Sequence, residues 1–169
     1  NTRIGLYTIR YDVSDMAGNA AVTLNRYVEV VDTTAPTITL KCGNDLPCED
    51  DTSQIVEVFT MYEEYGAIVY DRYDEYHGVT VTLVINHNIN VNKLGEYIVT
   101  YNATDSNGNK AAPVIRRVYV KDTTPPEVTL IGENPITIER GLEYVEYGAT
   151  AIDNYDGNVE ILVECNIYK

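Results

Sequence analysis

The sequence predicts an all-β chain of tandem β-sandwich domains. Three observations support this: a composition loaded with tyrosine, short alternating strands between turn clusters, and an internal repeat. The 169 residues hold 15 Tyr against one Phe and no Trp. Tyr and β-branched residues fit a pleated, half-buried surface, so the bias favours strands, with some Tyr left for contacts between chains or with sugars. The length suits one or two domains with real cores.

The segment Tyr97-Ile-Val-Thr-Tyr-Asn-Ala103 alternates with period two and sets Tyr97, Val99, Tyr101 and Ala103 on one face. Tyr7, Ile9, Tyr11 and Val13 repeat the pattern. Each run ends in a turn, Asp105-Ser-Asn-Gly-Asn or Asp15-Met-Ala-Gly-Asn, where Gly supplies the positive φ of a hairpin. Return strands follow, reaching Val118 and Val120 in one case and Val28 and Val30 in the other. Pro113 falls in the central return strand and marks an edge or a bulge, because it cannot donate to a ladder. Further strands read at 37–41, 55–59, 67–70 and 79–85. Short strands punctuated by turns about every 8–12 residues indicate a sandwich.

The repeat sets the organisation. Asp32-Thr-Thr-Ala-Pro-Thr-Ile-Thr-Leu40 returns 90 residues on as Asp122-Thr-Thr-Pro-Pro-Glu-Val-Thr-Leu130, and the Gly5–Asn19 pattern returns at 95–109 with the same offset. Tyr65-Gly-Ala-Ile-Val-Tyr-Asp71 returns 82 residues on, at Tyr147 to Asp153. The shorter offset reflects extra residues around 42–51 in the central copy. Residues 33–121 then form one complete domain, 1–32 the back of a preceding one and 122–169 the front of a following one. Placing Leu162 to Lys169 before Asn1 to Tyr7 gives fifteen residues in register with Leu83 to Tyr97. The expectation is one period of a larger array. Either the chain continues covalently, or successive subunits complete each other's split domain, and both predict a filament.

Gly95, Tyr97 and Val99 look like the start of strand F in immunoglobulin domains, where a Tyr pins the E–F corner two residues before a Cys. Val99 and Ile9 stand where that Cys would be, so the sandwiches close on apolar packing alone. The linkers DTTAP and DTTPP, Tyr-Gly-Ala followed by Asp153-Asn-Tyr-Asp156-Gly-Asn, and the Gly-x-Tyr-x-x-x-Tyr-x-x-x-Asp strand complete a pattern. It resembles the bacterial-type immunoglobulin-like repeats of surface proteins, adhesins and some pesticidal crystal proteins, over nearly the whole chain. The resemblance implies tandem immunoglobulin-like β-sandwich domains in a secreted or cell-surface protein, serving as stalk, spacer or adhesive module. The central copy departs from it, reading Asp71-Arg-Tyr-Asp74-Glu-Tyr-His-Gly and carrying the cysteine insertion.

A net charge of −14 and a pI near 4.3 repel nucleic acid and anionic lipid and attract divalent cations. No apolar run approaches the roughly 20 residues that span a bilayer. The chain opens on a strand pattern, 4–13, rather than a signal peptide, so an export address is expected outside it. Cys42 and Cys48, in KCGNDLPCED, read as a loop disulfide, since no second pair or nearby His completes a zinc set. Cys165 is left over, a buried free thiol or a bridge to another chain.

No nucleophile–base pair, phosphate loop or zinc motif is present, and His77 and His87 read as loop residues. A non-enzyme is expected. The notable set is acidic. If strand A begins at the end bearing the B–C and F–G loops, Asp32 lies near Asp71, Asp74 and Asp105. At the next junction the set is Asp122, Asp153 and Asp156, with Asp15 supplied across the join. Calcium, which takes about six to eight oxygens, suits such carboxylates, while the alternative is that each Asp only caps a turn. Asn102-Ala-Thr104 is a glycosylation sequon on the opposite side from Tyr97 and Tyr101, where it should be accessible. The leading function is a structural repeat of an extracellular filament, stalk or sheath, partnered by identical subunits or neighbouring repeats. The alternative is an adhesin module that binds a glycan or host surface protein through exposed Tyr; Tyr73, Tyr76 and Tyr155, near the B–C loops, fit either role.

Overall fold

A computed structural model describes residues 3–43, 46–48 and 52–166. The join of Lys169 to Asn1, and part of the 42–51 insertion, lie outside the described residues. The elements in order are β1 (Gly5–Tyr11), β2 (Leu24–Val30), β3 (Thr37–Cys42), β4 (Leu46–Pro47), β5 (Gln54–Glu57), β6 (Ala67–Tyr70), α1 (Arg72–His77), β7 (Thr82–His87), β8 (Gly95–Thr104), β9 (Val114–Lys121), β10 (Glu127–Leu130), β11 (Ala149–Asp153) and β12 (Gly157–Asn158). Among the described residues the chain is all-β apart from α1, as expected for immunoglobulin-like sandwiches. Four sheets are present among the described residues: β1-β2, β4-β3-β6, β5-β9-β8-β7 and β10-β11-β12.

By contacts the chain divides into two compact units. The first draws on Asn1–Thr52, Tyr65–Asn86 and Val99–Arg116. In it β1 and β2 form a hairpin from Gly5↔Val30 to Tyr11↔Leu24, and β3 pairs β6 antiparallel from Thr37↔Tyr70 to Leu40↔Ala67. Leu40, Val99, Tyr101 and Ala103 are buried, so the expected inward face of β8 is the core face. Arg116 shares that interior. It is 1% exposed, donates to the Lys41 carbonyl, and lies 5.2 Å from the Tyr65 ring centre and 5.7 Å from that of Tyr101. A guanidinium held between aromatic faces loses less on burial than a bare ammonium would.

The second unit draws on Ser53–Glu64, His87–Ile98 and Arg117–Lys169. Here β5 pairs parallel to β9, Gln54↔Val118 to Glu57↔Lys121, and Val56, Val58, Val118 and Val120 are buried. Phe59, with φ of 65°, ends that run, so the strand expected over 55–59 occupies Gln54–Glu57. β10 pairs β11 from Glu127↔Ile152 to Leu130↔Ala149, which is the β3–β6 register carried over by the repeat.

The copies agree in detail. Tyr97 donates its hydroxyl to the Lys93 carbonyl at 2.9 Å and Tyr7 donates to that of Arg3 at 2.6 Å, the same tyrosine corner twice. They differ after the second strand of each front half. Gly157, at φ +71°, folds the chain straight back into β12. Glu75 stands at the equivalent position and cannot take that conformation cheaply, so a helical turn runs on to Gly78 at φ +66°. His77 is therefore in the last turn of α1 and His87 ends β7, not loops as expected. Pro113 sits just ahead of β9 rather than within it, and the strand expected over 79–85 runs Thr82–His87.

Candidate junction metal centres

The Asp-Thr-Thr linkers and the turns after β6, β8 and β11 bring the acidic residues together. In the first unit Asp32, Asp71 and Asp105 each offer a carboxylate oxygen, all within 4.8 Å of one another. Asp71 caps α1: its Oδ1 accepts from the Tyr73 and Asp74 amides at 2.8 and 3.1 Å. Asp105 closes the β8 turn through the Asn107 and Asn109 amides at 2.9 and 2.7 Å and the Asn109 side chain at 2.7 Å. Burial pushes the Asp105 carboxyl up, but the bonds from Asn109 and Asn107 outweigh it and hold the group below its usual range. Asp32 is tied to the same turn, accepting from the Asn107 side chain at 3.2 Å on its carboxylate and from Asn109 at 3.2 Å on its carbonyl. Two of the three residues are buried.

Asp74 is placed differently from the expected set. It is fully buried, and its carboxylate accepts from the Ser106 amide at 2.9 Å and from the Ser106 hydroxyl. Those bonds draw it out of the acidic cluster and make it the tie between α1 and the β8 turn.

In the second unit Asp122, Asp153 and Asp156 converge within the same distance. Asp153 repeats the Asp71 cap, accepting from the Tyr155 and Asp156 amides at 2.7 and 2.9 Å. Asp122 Oδ1 is buried and has no hydrogen-bond partner. Burial first, then the Asp153 carboxylate, with further contributions from Glu57 and Asp156, raises the Asp122 carboxyl above its usual value. A buried carboxylate oxygen without a donor, pressed by other carboxylates, fits a bound hard cation. Asp15 belongs to neither cluster; its carboxylate closes its own turn on the Ala17 and Asn19 amides and the Asn19 side chain, which lower its pKa.

Glu57 is a junction residue that sequence reasoning missed. Its carboxylate accepts from the Thr123 amide at 2.8 Å, the Thr123 hydroxyl, the Thr124 hydroxyl at 2.8 Å and the Asn154 side chain at 3.1 Å. Led by the Thr123 hydroxyl, these bonds lower its pKa to about 2. The Thr pair of the linker thus has a physical role: it is the handle by which the end of β5 holds the chain leading into β10.

The remaining sites are simpler. Cys42 and Cys48 form the loop disulfide. Cys165 is exposed and free. Asn102 is half-buried in β8. Among the described residues no helix is long and apolar enough to cross a membrane. A cleft of about 1150 Å³ in the first unit is lined by Tyr70, Tyr73, Tyr76, Arg72, Glu75 and His77, among others.

Sandwich strands, paired tyrosine corners and acidic turns at an Asp-Thr-Thr linker define an immunoglobulin-like module. Residues 47–120 match the family described as bacterial surface protein, Ig-like domain. An uncharacterized 81.3 kDa protein of Acholeplasma phage L2 is 28% identical over 162 residues, covering 92% of this chain and 20% of that protein. Internalin I of Listeria monocytogenes serotype 4b is 30% identical over 125 residues, 74% of this chain and 6% of internalin I. The chain therefore spans a fifth or less of these relatives. A solved lipoprotein of Bacteroides thetaiotaomicron aligns over 72% of this chain and 57% of its own at 19% identity, with a TM-score of 0.37. The family and the disulfide place the module outside the cell or at its surface.

Proposed function

We propose that this chain is a non-catalytic structural repeat of an extracellular filament, stalk or sheath, joined end to end with identical subunits or neighbouring repeats. Its domains run 1–32, 33–121 and 122–169, the first and last each being half of a sandwich. One observation carries the reading: equivalent faces are buried in the central domain and bare in the outer copies. Val99, Tyr101 and Val118 are all 0% exposed, whereas Ile9, Tyr11 and Val28 are 44%, 49% and 38% exposed. Leu40 is 4% exposed and its equivalent Leu130 is 57%. Equivalent strands with opposite burial support the reading that a neighbouring repeat or subunit covers the bare faces.

The acidic junctions belong to the same reading. Asp32, Asp71 and Asp105 would hold one calcium ion. Asp122 and Asp153 would hold another with Asp156, or with Asp15 from the completing copy, since Asp15 is the repeat equivalent of Asp105. Bound calcium would neutralise converging carboxylates and stiffen the hinge that Glu57 and the linker prolines already restrain. Cys165 would be available for a covalent link, and Asn102 for a glycan.

Electron microscopy of native material, with denaturing electrophoresis, tests this. Filaments that dissolve into chains of 18.9 kDa mean split domains completed between subunits. Filaments that persist as long chains after reduction mean a covalent array. Isolated particles without polymer overturn the reading. A second reading, an adhesin module for a glycan or surface protein, draws on the cleft beside α1, where Tyr70, Tyr73 and Tyr76 stand among Arg72 and Glu75.

A further inference from the structure

The bare half-cores carry a specific residue-level lock, and this inference rests on the end-to-end reading just given. In the central domain the lock is Arg116. Its guanidinium donates to the Lys41 carbonyl at the end of β3, covers the Tyr65 ring from one side and faces Tyr101 of β8. The repeat places Arg26 of β2 at the position of Arg116 and Tyr11 of β1 at that of Tyr101. The Arg26 guanidinium already lies 5.8 Å from the Tyr11 ring centre, against 5.7 Å for Arg116 and Tyr101. One half of the lock is therefore set, but Arg26 is exposed.

The other half is also in this chain. Ile131 is the repeat equivalent of Lys41, and Tyr147 of Tyr65. Their local frame is the same. The Lys41 amide donates to the Gly66 carbonyl at 3.1 Å, and the Ile131 amide to the Gly148 carbonyl at 2.9 Å. Each tyrosine also packs on a glycine just past the preceding strand, Tyr65 on Gly43 and Tyr147 on Gly132, at 3.2 Å from where a Cβ would stand, the two glycines being one position apart in the repeat. Yet Tyr147 is 58% exposed and Ile131 49%.

We infer that the β1–β2 face of one copy is covered by the β10–β11 face of a second copy, with Arg26 donating to the Ile131 carbonyl and stacking on Tyr147 of that copy. The arginine would set the register. An acceptor on the main chain and a ring on the next strand fix both its depth and its slide along the sheet, which apolar packing of Val28, Val30, Val128 and Leu130 does only loosely. The contact joins two different patches, so it is head-to-tail and closes into a ring or continues as a filament.

Sedimentation velocity of the purified chain over a range of concentrations, with Arg26→Ala, Tyr147→Ala and the double variant, is the test. Both side chains are exposed in the single chain, so circular dichroism and melting of the variants at low concentration should match the parent. The parent should sediment as species larger than 18.9 kDa as concentration rises. Each single variant should weaken association about tenfold or more, and the double variant little further than either alone. A parent that stays at 18.9 kDa throughout overturns completion between separate chains, and the lock between them with it. A parent that associates while the variants do so equally well, or lose affinity in fully additive steps, overturns the arginine lock alone.

Discussion

Arg116 of β9 donates its guanidinium to the main-chain carbonyl of Lys41, at the end of β3. Arg116→Ala should cost about 3 kcal/mol in stability, because it strips a part-buried carbonyl of a charged donor and empties the space between Tyr65 and Tyr101. Arg116→Lys should recover little of it, since an ammonium lacks the planar face. Denaturant melts of the three proteins check both. Arg26→Ala, its exposed counterpart, should change the stability of the single chain by less than about 0.5 kcal/mol.

Asp74 and Ser106 join α1 to the turn after β8. Asp74→Ala leaves the Ser106 amide and hydroxyl without their buried acceptor and should destabilise the protein by about 2–3 kcal/mol. Ser106→Ala should be milder, as the amide bond remains. Amide exchange at Ser106 should accelerate only in the first variant.

Glu57 gives the junction a pH dependence of definite sign. Its pKa is lowered from 4.5 to about 2, so its contribution to stability is present above pH 4.5 and is lost as pH falls toward 2. Glu57→Gln should flatten the melting-temperature profile in that window, and thermal scans from pH 5 to pH 2 would show it. Asp122, with a raised pKa, has the opposite sign: without metal, protonating it relieves the junction.

Calcium should reverse that penalty. In chelator, Asp122→Asn should melt higher than the parent, because a repelled carboxylate is gone. With calcium at a hundredfold excess over Kd, a bound ion should add about 2.7 kcal/mol per site to the parent. Asp122→Asn should lose the share from the second cluster, and Asp71→Asn that from the first. A parent whose melting ignores both calcium and chelator, with no heat on calorimetric titration, removes the metal from the account.

Reduction of the Cys42–Cys48 bridge should cost no more than about 2 kcal/mol, since the closed loop is short. Urea melts with and without reductant measure it.

Much of this was legible because the sequence repeats. Two offsets carried the strand faces, the tyrosine corners and the members of the Asp clusters from one copy to the next. What one copy lacks was not legible that way. Ser106 has Met16 as its equivalent, so nothing in the repeat announced that Asp74 would leave the cluster for a serine. Glu57 sits in no motif; its role follows from the parallel pairing of β5 with β9, which brings it to the linker. Helix α1 had a visible cap in Asp71 and a stop in Gly78, but six residues give too little periodicity to mark a helix. Arg116 was overlooked although it shares the alternating face of Val118 and Val120. A charge in an apolar register is a signal of its own.

Hydrogen exchange of native assembled material, read at equivalent strands 90 residues apart, tests the central claim most directly. Completed half-domains predict that Gly5–Tyr11 is protected to nearly the level of Gly95–Thr104, and loses that protection when the assembly is dissociated. If Gly5–Tyr11 exchanges freely in the native material while Gly95–Thr104 stays protected, the half-cores are not completed and the end-to-end account is wrong.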